Sequence, residues 1–413
     1  AVKKELDRMP GTKECAWAIP RNDFLRIFLF YIREILNYRR YLVWNKIGTS
    51  IYFDRWEAYL PKLFQRIFRR SFVKRIMKSA LFGFVLSQCE RIIPPYSAII
   101  HSIRDFNPHA VVASPANMRF SSADIEYLKA ASYLRVPSVL PVFSWDNLTT
   151  KGLIHVHPDR VLVWNNIQKS EAMRYHGISH ERIRIIGAPF FDEWFPRPMP
   201  SCSREEFCAR YGLRKELPIV TYFGSSSTVT SARPENWIVE GIQARIRISS
   251  DSRLRHTQII IRPHPAHYNQ FQGIESDTVV IIPPRGALPS DSESRQLFFD
   301  TLAHSEAVIG LSTSAMIDAI ILDKPVIALI LDEYVSTQSI IEHFQYLKKS
   351  EAIDCVKTAD ECVALLGTFI SGKDVKKEAR RKFVEHYIRP QGIAHSAGNV
   401  AAKEIVMLIQ ENQ

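Results

Sequence analysis

The chain has 413 residues, 46% of them hydrophobic and 23% charged, a globular composition that excludes an intrinsically disordered or fibrous protein. That length exceeds one ordinary core and predicts two domains. The formal charge of +11 lies entirely in the first hundred residues, which hold 19 Lys+Arg against 8 Asp+Glu, and such asymmetry bears on partners rather than on fold.

Six cysteines (Cys15, Cys89, Cys202, Cys208, Cys355, Cys362) show no C-x-x-C and no zinc spacing. They predict reduced thiols and a cytoplasmic location. No apolar run reaches the ~18 residues of a membrane span, and no signal-peptide pattern opens the sequence at Ala1.

Residues 22–92 are expected to be helical and amphipathic. Phe24, Ile27, Phe28, Tyr31, Ile32 and Ile35 follow three-four spacing, with Arg26, Arg33, Arg39 and Arg40 among them. A second basic stretch runs from Leu63 through Arg66, Arg69 and Arg70 to Lys74, Arg75 and Lys78. Such helices suit an anionic membrane surface or a lipid-linked substrate, or simply a solvated face. No nucleic-acid-binding motif accompanies the charge.

From about residue 93 short strands alternate with helices. The first series is His109–Ala113, Ser138–Ser144, Arg160–Trp164 and Arg182–Gly187. A proline-rich tract, Gly187–Pro218, reads as an interdomain connection. The second series is Ile219–Gly224, Gln258–Ile261, Thr278–Ile282, Ala307–Leu311 and Pro325–Leu329. Two βα series in tandem predict two Rossmann-like halves facing across a cleft. The expected boundaries are 1–92 (basic helical region of the acceptor domain), 93–190 (acceptor-side domain), 191–217 (linker), 218–390 (donor nucleotide-binding domain) and 391–413 (a C-terminal helix packing back on the first domain).

Ligands in open α/β sheets sit outside the carboxyl ends of the strands, so the strand endings carry the chemistry. After Gln258–Ile261 come Arg262-Pro263-His264-Pro265, a cation and an imidazole suited to a phosphate. After Ala307–Leu311 come Ser312, Thr313 and Ser314, hydroxyls at the start of a helix expected over Ser314–Leu322. Asp318 follows one turn deeper, placed for a ribose. Ser225 and Ser226 follow Gly224 in a small polar loop that lacks the ending of a Walker A sequence. In the first half, Ser138–Phe143 runs into Ser144-Trp145-Asp146-Asn147, with Lys151 four residues on. Asp146 there is placed like a general base, or else caps a turn with Asn147. His155, His157 and Asp159 have strand-compatible spacing for a metal, but no further ligand is evident, so no metal is expected.

Together these residues resemble the GT-B glycosyltransferases, in particular the bacterial capsule-polysaccharide transferases and the related CDP-glycerol glycerophosphotransferases. The resemblance covers roughly residues 105–405. Arg262–Pro265 is similar to the family's HP motif, whose histidine meets the donor phosphate. Ser312–Ser314 with Asp318 is similar to its serine motif and acidic ribose ligand. Arg204–Phe207, Tyr211–Leu213 and Pro218–Val220 resemble the opening of the donor domain, and Ile388–Gly392 with the helix Ala397–Ile409 resembles the segment that crosses back.

The resemblance implies an α/β GT-B fold and an inverting, metal-independent transferase with no cofactor. It would move a sugar from a nucleotide-sugar donor to a cell-surface glycan or lipid-linked acceptor. Asp146 and His264 are the implied catalytic residues. Arg262, His264, Ser312, Thr313, Ser314, Asp318, Ser225 and Ser226 would bind the donor, and Trp145, Asn147 and Lys151 would lie on the acceptor side. An enzyme of this kind is expected in the cytoplasm or peripherally on the inner face of the plasma membrane. Glycerophosphotransferases carry a histidine in a T-W-H-G pattern where this chain has Asp146, which favours sugar transfer over phosphoglycerol transfer. A non-catalytic nucleotide-sugar or anionic-polymer binding protein is a further alternative. The fold's usual Gly-rich opening strand is not found at the N-terminus, nor is the paired-acid motif of many sialyltransferases. UDP-N-acetylglucosamine epimerases share the fold, but their serine-glycine-glycine and double-glutamate pattern is not found at Ser312–Asp318.

Overall fold

The computed structural model describes residues 18–44, 50–117, 122–230 and 233–413. Two units divide the chain, one running to Asp192 and resuming over Tyr387–Gln413, the other spanning Glu193–His386. The chain therefore crosses at 192/193 and again at 386/387. Most of the tract expected as a linker lies within the second unit.

The first unit opens with helices α1 (Leu25–Val43), α2 (Ser50–Ala58), α3 (Lys62–Phe68), α4 (Ser71–Lys78), α5 (Ala80–Ile92) and α6 (Ser97–Phe106). The apolar stripe read from α1 divides in the structure, with Ile35 packed against Tyr38 and Leu42. Phe24, just before α1, and Ile27 and Phe28 within it are exposed, while Arg33, Glu34, Asn37 and Arg40 are buried. Helical periodicity locates an apolar stripe but not what it faces. The polar face is turned inward because it meets matched partners. Arg33 lies 2.7 Å from both Glu90 and Glu126, Arg21 lies 2.9 Å from Glu126, and Lys129 lies 3.2 Å from Glu90. Buried charges persist only when paired in this way.

Then follow β1 (Val111–Val112), α7 (Ser122–Leu134), β2 (Ser138–Pro141), α8 (Asn147–Thr150), β3 (Arg160–Val163), α9 (Asn166–His176) and β4 (Ile183–Ile185). The four strands form one parallel sheet in sequential order. Alternation sorts its side chains. Leu140, Val161 and Val163 meet Leu128 and Ala172 on one face, and Val139 and Leu162 meet Leu408 of the C-terminal helix Ala397–Glu411 on the other. Asp192 holds the start of that helix, accepting from the N–H groups of Ala397 and Gly398 and pairing with Arg389 at 2.7 Å.

The second unit contains α10 (Arg204–Tyr211), β5 (Ile219–Phe223), α11 (Asn236–Arg247), α12 (Ser252–Arg255), β6 (Gln258–Arg262), β7 (Val279–Ile281), α13 (Ser292–Ala303), β8 (Ala307–Gly310), α14 (Ala315–Ile321), β9 (Val326–Leu329), α15 (Glu342–Lys349), β10 (Asp354–Val356), α16 (Ala359–Ile370) and α17 (Lys377–Phe383). Its sheet is parallel, in the order β10-β9-β8-β5-β6-β7. The central strands are buried throughout, as a parallel sheet covered on both faces requires. Ile259 and Ile261 meet Ile242 and Leu366 on one face, while Ile219 and Ile260 meet Phe207 on the other. The order reverses at β5, which pairs with β6 on one side and β8 on the other. That reversal is a topological switch point, where such sheets bind ligands.

Candidate functional site

The three strand endings singled out in the second half converge on this reversal. Phe223 pairs with Arg262 of β6 and with Gly310 of β8, so the three residues share one row across the sheet. Strands lie ~4.8 Å apart, which sets the His264 and Ser312–Ser314 edges about 10 Å apart with the Ser225 loop between them. Two glycines permit the crowding. A Cβ at Gly224 would come within 2.9 Å of the Phe271 ring and 3.3 Å of the His264 nitrogen. One at Gly286 would lie 2.4 Å from the Pro263 carbonyl oxygen, and its φ of +66° already disfavours a side chain.

Arg262 is only 4% exposed. Its Nη1 donates to Thr301 Oγ1 at 3.0 Å and its guanidinium lies 5.2 Å from the centre of the Phe298 ring. Among the described residues no carboxylate pairs with it. Burial pulls its pKa down to about 10, so it stays charged at neutral pH. Arg262 is thus a fixed charge beneath the edge. His264 is half-buried, and its Nδ1 accepts from the Ala266 N–H at 3.2 Å. Burial, then the neighbouring His267, lowers its pKa. A neutral ring with Nδ1 accepting carries its proton on Nε2, free to donate.

Ser225 is 1% exposed, and its hydroxyl lies beside the Glu235 carboxylate. Its N–H donates to Glu235 Oε1 at 2.6 Å. Glu235 also accepts from the Tyr222 hydroxyl at 2.9 Å and from Gln270 Nε2 at 3.1 Å. Burial pushes its carboxyl up to about 7, against those hydrogen bonds. Glu235 was not singled out from the sequence. The only signal was an acid between a proline and an apolar helix, which ordinarily reads as a helix start. Ser226 is partly exposed at the head of the next turn, its carbonyl accepting from Val229 N.

At the third ending, Ser312 and Thr313 are partly buried and Ser314 is exposed. Ser314 makes no side-chain cap. Thr313 Oγ1 instead accepts from Ala315 N at 3.3 Å. Asp318 is buried, and Trp194 Nε1 donates to its Oδ1 at 2.7 Å. Burial pushes the carboxyl up to about 7; the Trp194 bond opposes this and Glu193 adds to it. Trp194 stacks against Phe298 and Phe299. The Arg262 charge and the Asp318 carboxyl are thus joined through Phe298 and Trp194, neither of which the motifs had indicated.

In the first unit, Trp145, Asp146 and Asn147 sit where β2 turns into α8. Asp146 Oδ1 accepts from the Ser144 hydroxyl at 2.5 Å, Oδ2 accepts from Thr150 at 2.8 Å, and Lys151 Nζ lies 3.3 Å away. Trp145 is buried, and so is Asn147, whose amide has no partner among the described residues. The inward face of α1 holds this turn. Arg40 Nη1 donates to the carbonyls of Leu148 and Gly152, Tyr41 OH donates to Thr149 O, and Asn37 Oδ1 accepts from Leu153 N. His176 Nδ1 accepts from Ile154 N and its Nε2 meets Leu148 O at 2.8 Å; burial keeps its pKa well below the ordinary value, so the ring is neutral. A cavity of about 660 Å³ opens beside this turn, lined by Arg21, Arg33, Asn37, Asn117 and His155 among others. Asp159 holds the start of β2, its Oδ2 accepting from the Ser138 N–H and hydroxyl. Among the described residues no group of three or more His, Cys, Asp or Glu is placed to hold a metal.

No protein-family profile matches the chain, and no curated protein sequence matches it. Solved structures do match. The S. aureus MnaA–UDP co-structure aligns with a TM-score of 0.52 at 13% identity, over 76% of this chain and 80% of its own. A structure described as a UDP-N-acetylglucosamine 2-epimerase from Listeria monocytogenes gives 0.51 at 13% identity, over 75% and 77%. The fold is GT-B. The wall teichoic acid polymerase TagF aligns over 61% of this chain and 58% of its own, at 15% identity, and its TM-score of 0.43 adds nothing to that assignment. At such identities the likeness extends to the fold alone.

Proposed function

We propose that the protein is a GT-B glycosyltransferase that moves a sugar from a nucleotide-sugar donor to a cell-surface glycan or lipid-linked acceptor. The observation that carries it is Arg262, a buried cation with no carboxylate partner among the described residues, one strand from a topological switch point. A nucleoside diphosphate group over the three endings would receive an N–H from His264 Nε2 and hydroxyls from Ser225, Ser226 and Ser312–Ser314. Arg262 would act from below as a preorganised charge. Asp318 is reserved for the ribose or for holding Trp194.

In the transfer step the acceptor hydroxyl oxygen attacks the anomeric carbon and its proton passes to Asp146. The bond from that carbon to the phosphate oxygen breaks, and the electron pair leaves on the phosphate. Direct attack inverts the anomeric centre. His264 and Arg262 offset the charge that develops on the leaving group. Trp145, Asn147 and Lys151 would lie on the acceptor side. Transfer of a phosphoglycerol unit from CDP-glycerol is the competing reaction, and Asp146 in place of a histidine speaks against it.

The test is thermal unfolding against UDP, CDP, CMP, GDP and their sugars, beginning with UDP because the MnaA structure of like fold holds it. A nucleotide at about 100 times its dissociation constant adds roughly 2.7 kcal/mol of stability. If no nucleotide shifts the midpoint, the donor-site proposal is lost. A shift with UDP-N-acetylglucosamine followed by epimerisation, with no transfer, would place the chain beside the epimerases in reaction as well as in fold.

A further inference from the structure

Helices α3, α4 and α5 are apolar on two sides. Their inner residues Phe64, Phe68, Val73, Met77 and Phe82 pack with Tyr38 and Leu42 of α1. Their outer residues Leu63, Ile67, Phe72, Ile76, Leu81 and Phe84 face solvent, with Phe72 74% and Leu81 72% exposed. A helix in an ordinary globular protein shows one apolar stripe and a polar outer face. Single exposed apolar residues are commonplace, but a run of them over three successive helices marks a surface meant to be covered.

The charge on the same helices says what covers it. Between Glu57 and Glu90 the chain carries seven Lys or Arg and no acidic residue. Lys62, Arg66, Arg70, Arg75 and Lys78 are all exposed beside the apolar groups. A second copy of this surface would bring like charge against like and is disfavoured. Aromatic and branched apolar side chains interleaved with Lys and Arg match a bilayer interface instead. There the apolar groups enter the acyl boundary and the cations meet anionic headgroups. Phe24, Ile27 and Phe28, at the start of α1, extend the same chemistry. No helix of the described residues is long and apolar enough to cross a membrane.

We infer that α3–α5 form a monotopic docking surface for an anionic phospholipid bilayer, with the Phe72, Leu81 and Phe84 side chains inserted and Arg66, Arg70 and Arg75 on the headgroups. The surface belongs to the first unit and the proposed donor site to the second, and its test uses no nucleotide. The full chain is floated with vesicles of phosphatidylcholine alone and with vesicles containing about 30% phosphatidylglycerol. It is expected to float with the anionic vesicles and to lose most of that partition in ~1 M salt, where the Debye length falls to ~3 Å. Arg66→Gln/Arg70→Gln/Arg75→Gln should lower partition on the order of 100-fold. Phe72→Ser/Leu81→Ser/Phe84→Ser should abolish flotation while leaving the thermal midpoint and circular dichroism near wild type, since these side chains are solvent-exposed. Absence of flotation at low salt, or flotation unchanged in both variants, overturns the inference. Retention on single-stranded DNA without flotation overturns it in favour of nucleic acid. A dimer lost in the Phe72→Ser/Leu81→Ser/Phe84→Ser variant, again without flotation, overturns it in favour of a second copy.

Discussion

Trp194 donates its indole N–H to Asp318 at 2.7 Å across 124 positions of sequence, and this bond fixes a carboxyl that burial holds near neutrality. Its folded pKa of about 7 stands well above the ~3.9 of an unfolded chain. The folded state therefore keeps a proton that the unfolded state releases between those values. The associated stability is fully present below about pH 4 and is lost as pH rises through about 7. Asp318→Asn keeps an acceptor for Trp194 and removes the titration. It should exceed wild type in stability at pH 8 by roughly 1–3 kcal/mol and show a flatter profile between pH 5 and 8. Urea midpoints across that range check this, and an unchanged slope would refute it.

Glu235 behaves in the same sense, its carboxyl raised to about 7 by burial. Glu235→Gln retains an acceptor for the Ser225 N–H and should remove a further part of the decline with pH. Glu235→Ala leaves the Ser225 N–H and Tyr222 hydroxyl without their acceptor and should cost about 1–3 kcal/mol. If the Ser225 loop meets the donor, nucleotide affinity falls in the alanine variant and is kept in the glutamine variant. Calorimetric titration separates the two. Equal loss in both would detach Glu235 from the loop's geometry.

Gly286→Ala should be among the most damaging single-methyl changes in the second unit. The added carbon would sit 2.4 Å from the Pro263 carbonyl at a φ of +66°, so the Arg262–His264 ending must move. A loss on the order of 1–3 kcal/mol is expected. Gly212→Ala meets nothing within 4 Å at a similar φ of +68°, so it isolates the backbone cost. Comparable midpoints for the two variants would show that the close approach is unimportant.

His264→Ala removes the N–H donor at the edge. A hydrogen bond to a charged group contributes about 1.5–3 kcal/mol, so nucleotide affinity should fall roughly 10- to 100-fold. The urea midpoint should stay close to wild type, because the half-buried ring makes only a local bond to Ala266 N. Affinity within twofold of wild type would remove His264 from the donor site.

Asp146→Asn tests the base. Ser144 and Thr150 donate to different carboxylate oxygens, so asparagine keeps an oxygen acceptor for one of the two hydroxyls and turns its NH2 to the other, and the 3.3 Å pair with Lys151 loses its charge. Transfer should drop by about 10²–10⁴-fold with nucleotide affinity unchanged. Retained transfer would leave Asp146 as a turn residue, the role in which its carbonyl already accepts from Thr149 N and Thr150 N.

The parallel strands were legible in the residues because a strand buried on both faces must be apolar throughout, as Ile259–Ile261 and Val326–Leu329 are. The strand endings were legible too, since Pro263 and the serines after Gly310 interrupt those runs. The short strand Asp354–Val356 went unread, having a charged residue and no apolar run. Tertiary structure alone decided three matters. It sent Arg262 beneath the sheet edge rather than into solvent, because alternation along β6 puts Arg262 on the Ile260 face, against Phe298 and Thr301. It brought Glu235 and Trp194 into the site, since their partners are distant in sequence and no local pattern encodes them. It also divided the apolar residues of α1, pairing the buried Arg33 with Glu90 and Glu126 and leaving Phe24, Ile27 and Phe28 outside. Periodicity records that a helix has two faces. Only the partners across the core determine which of them is buried.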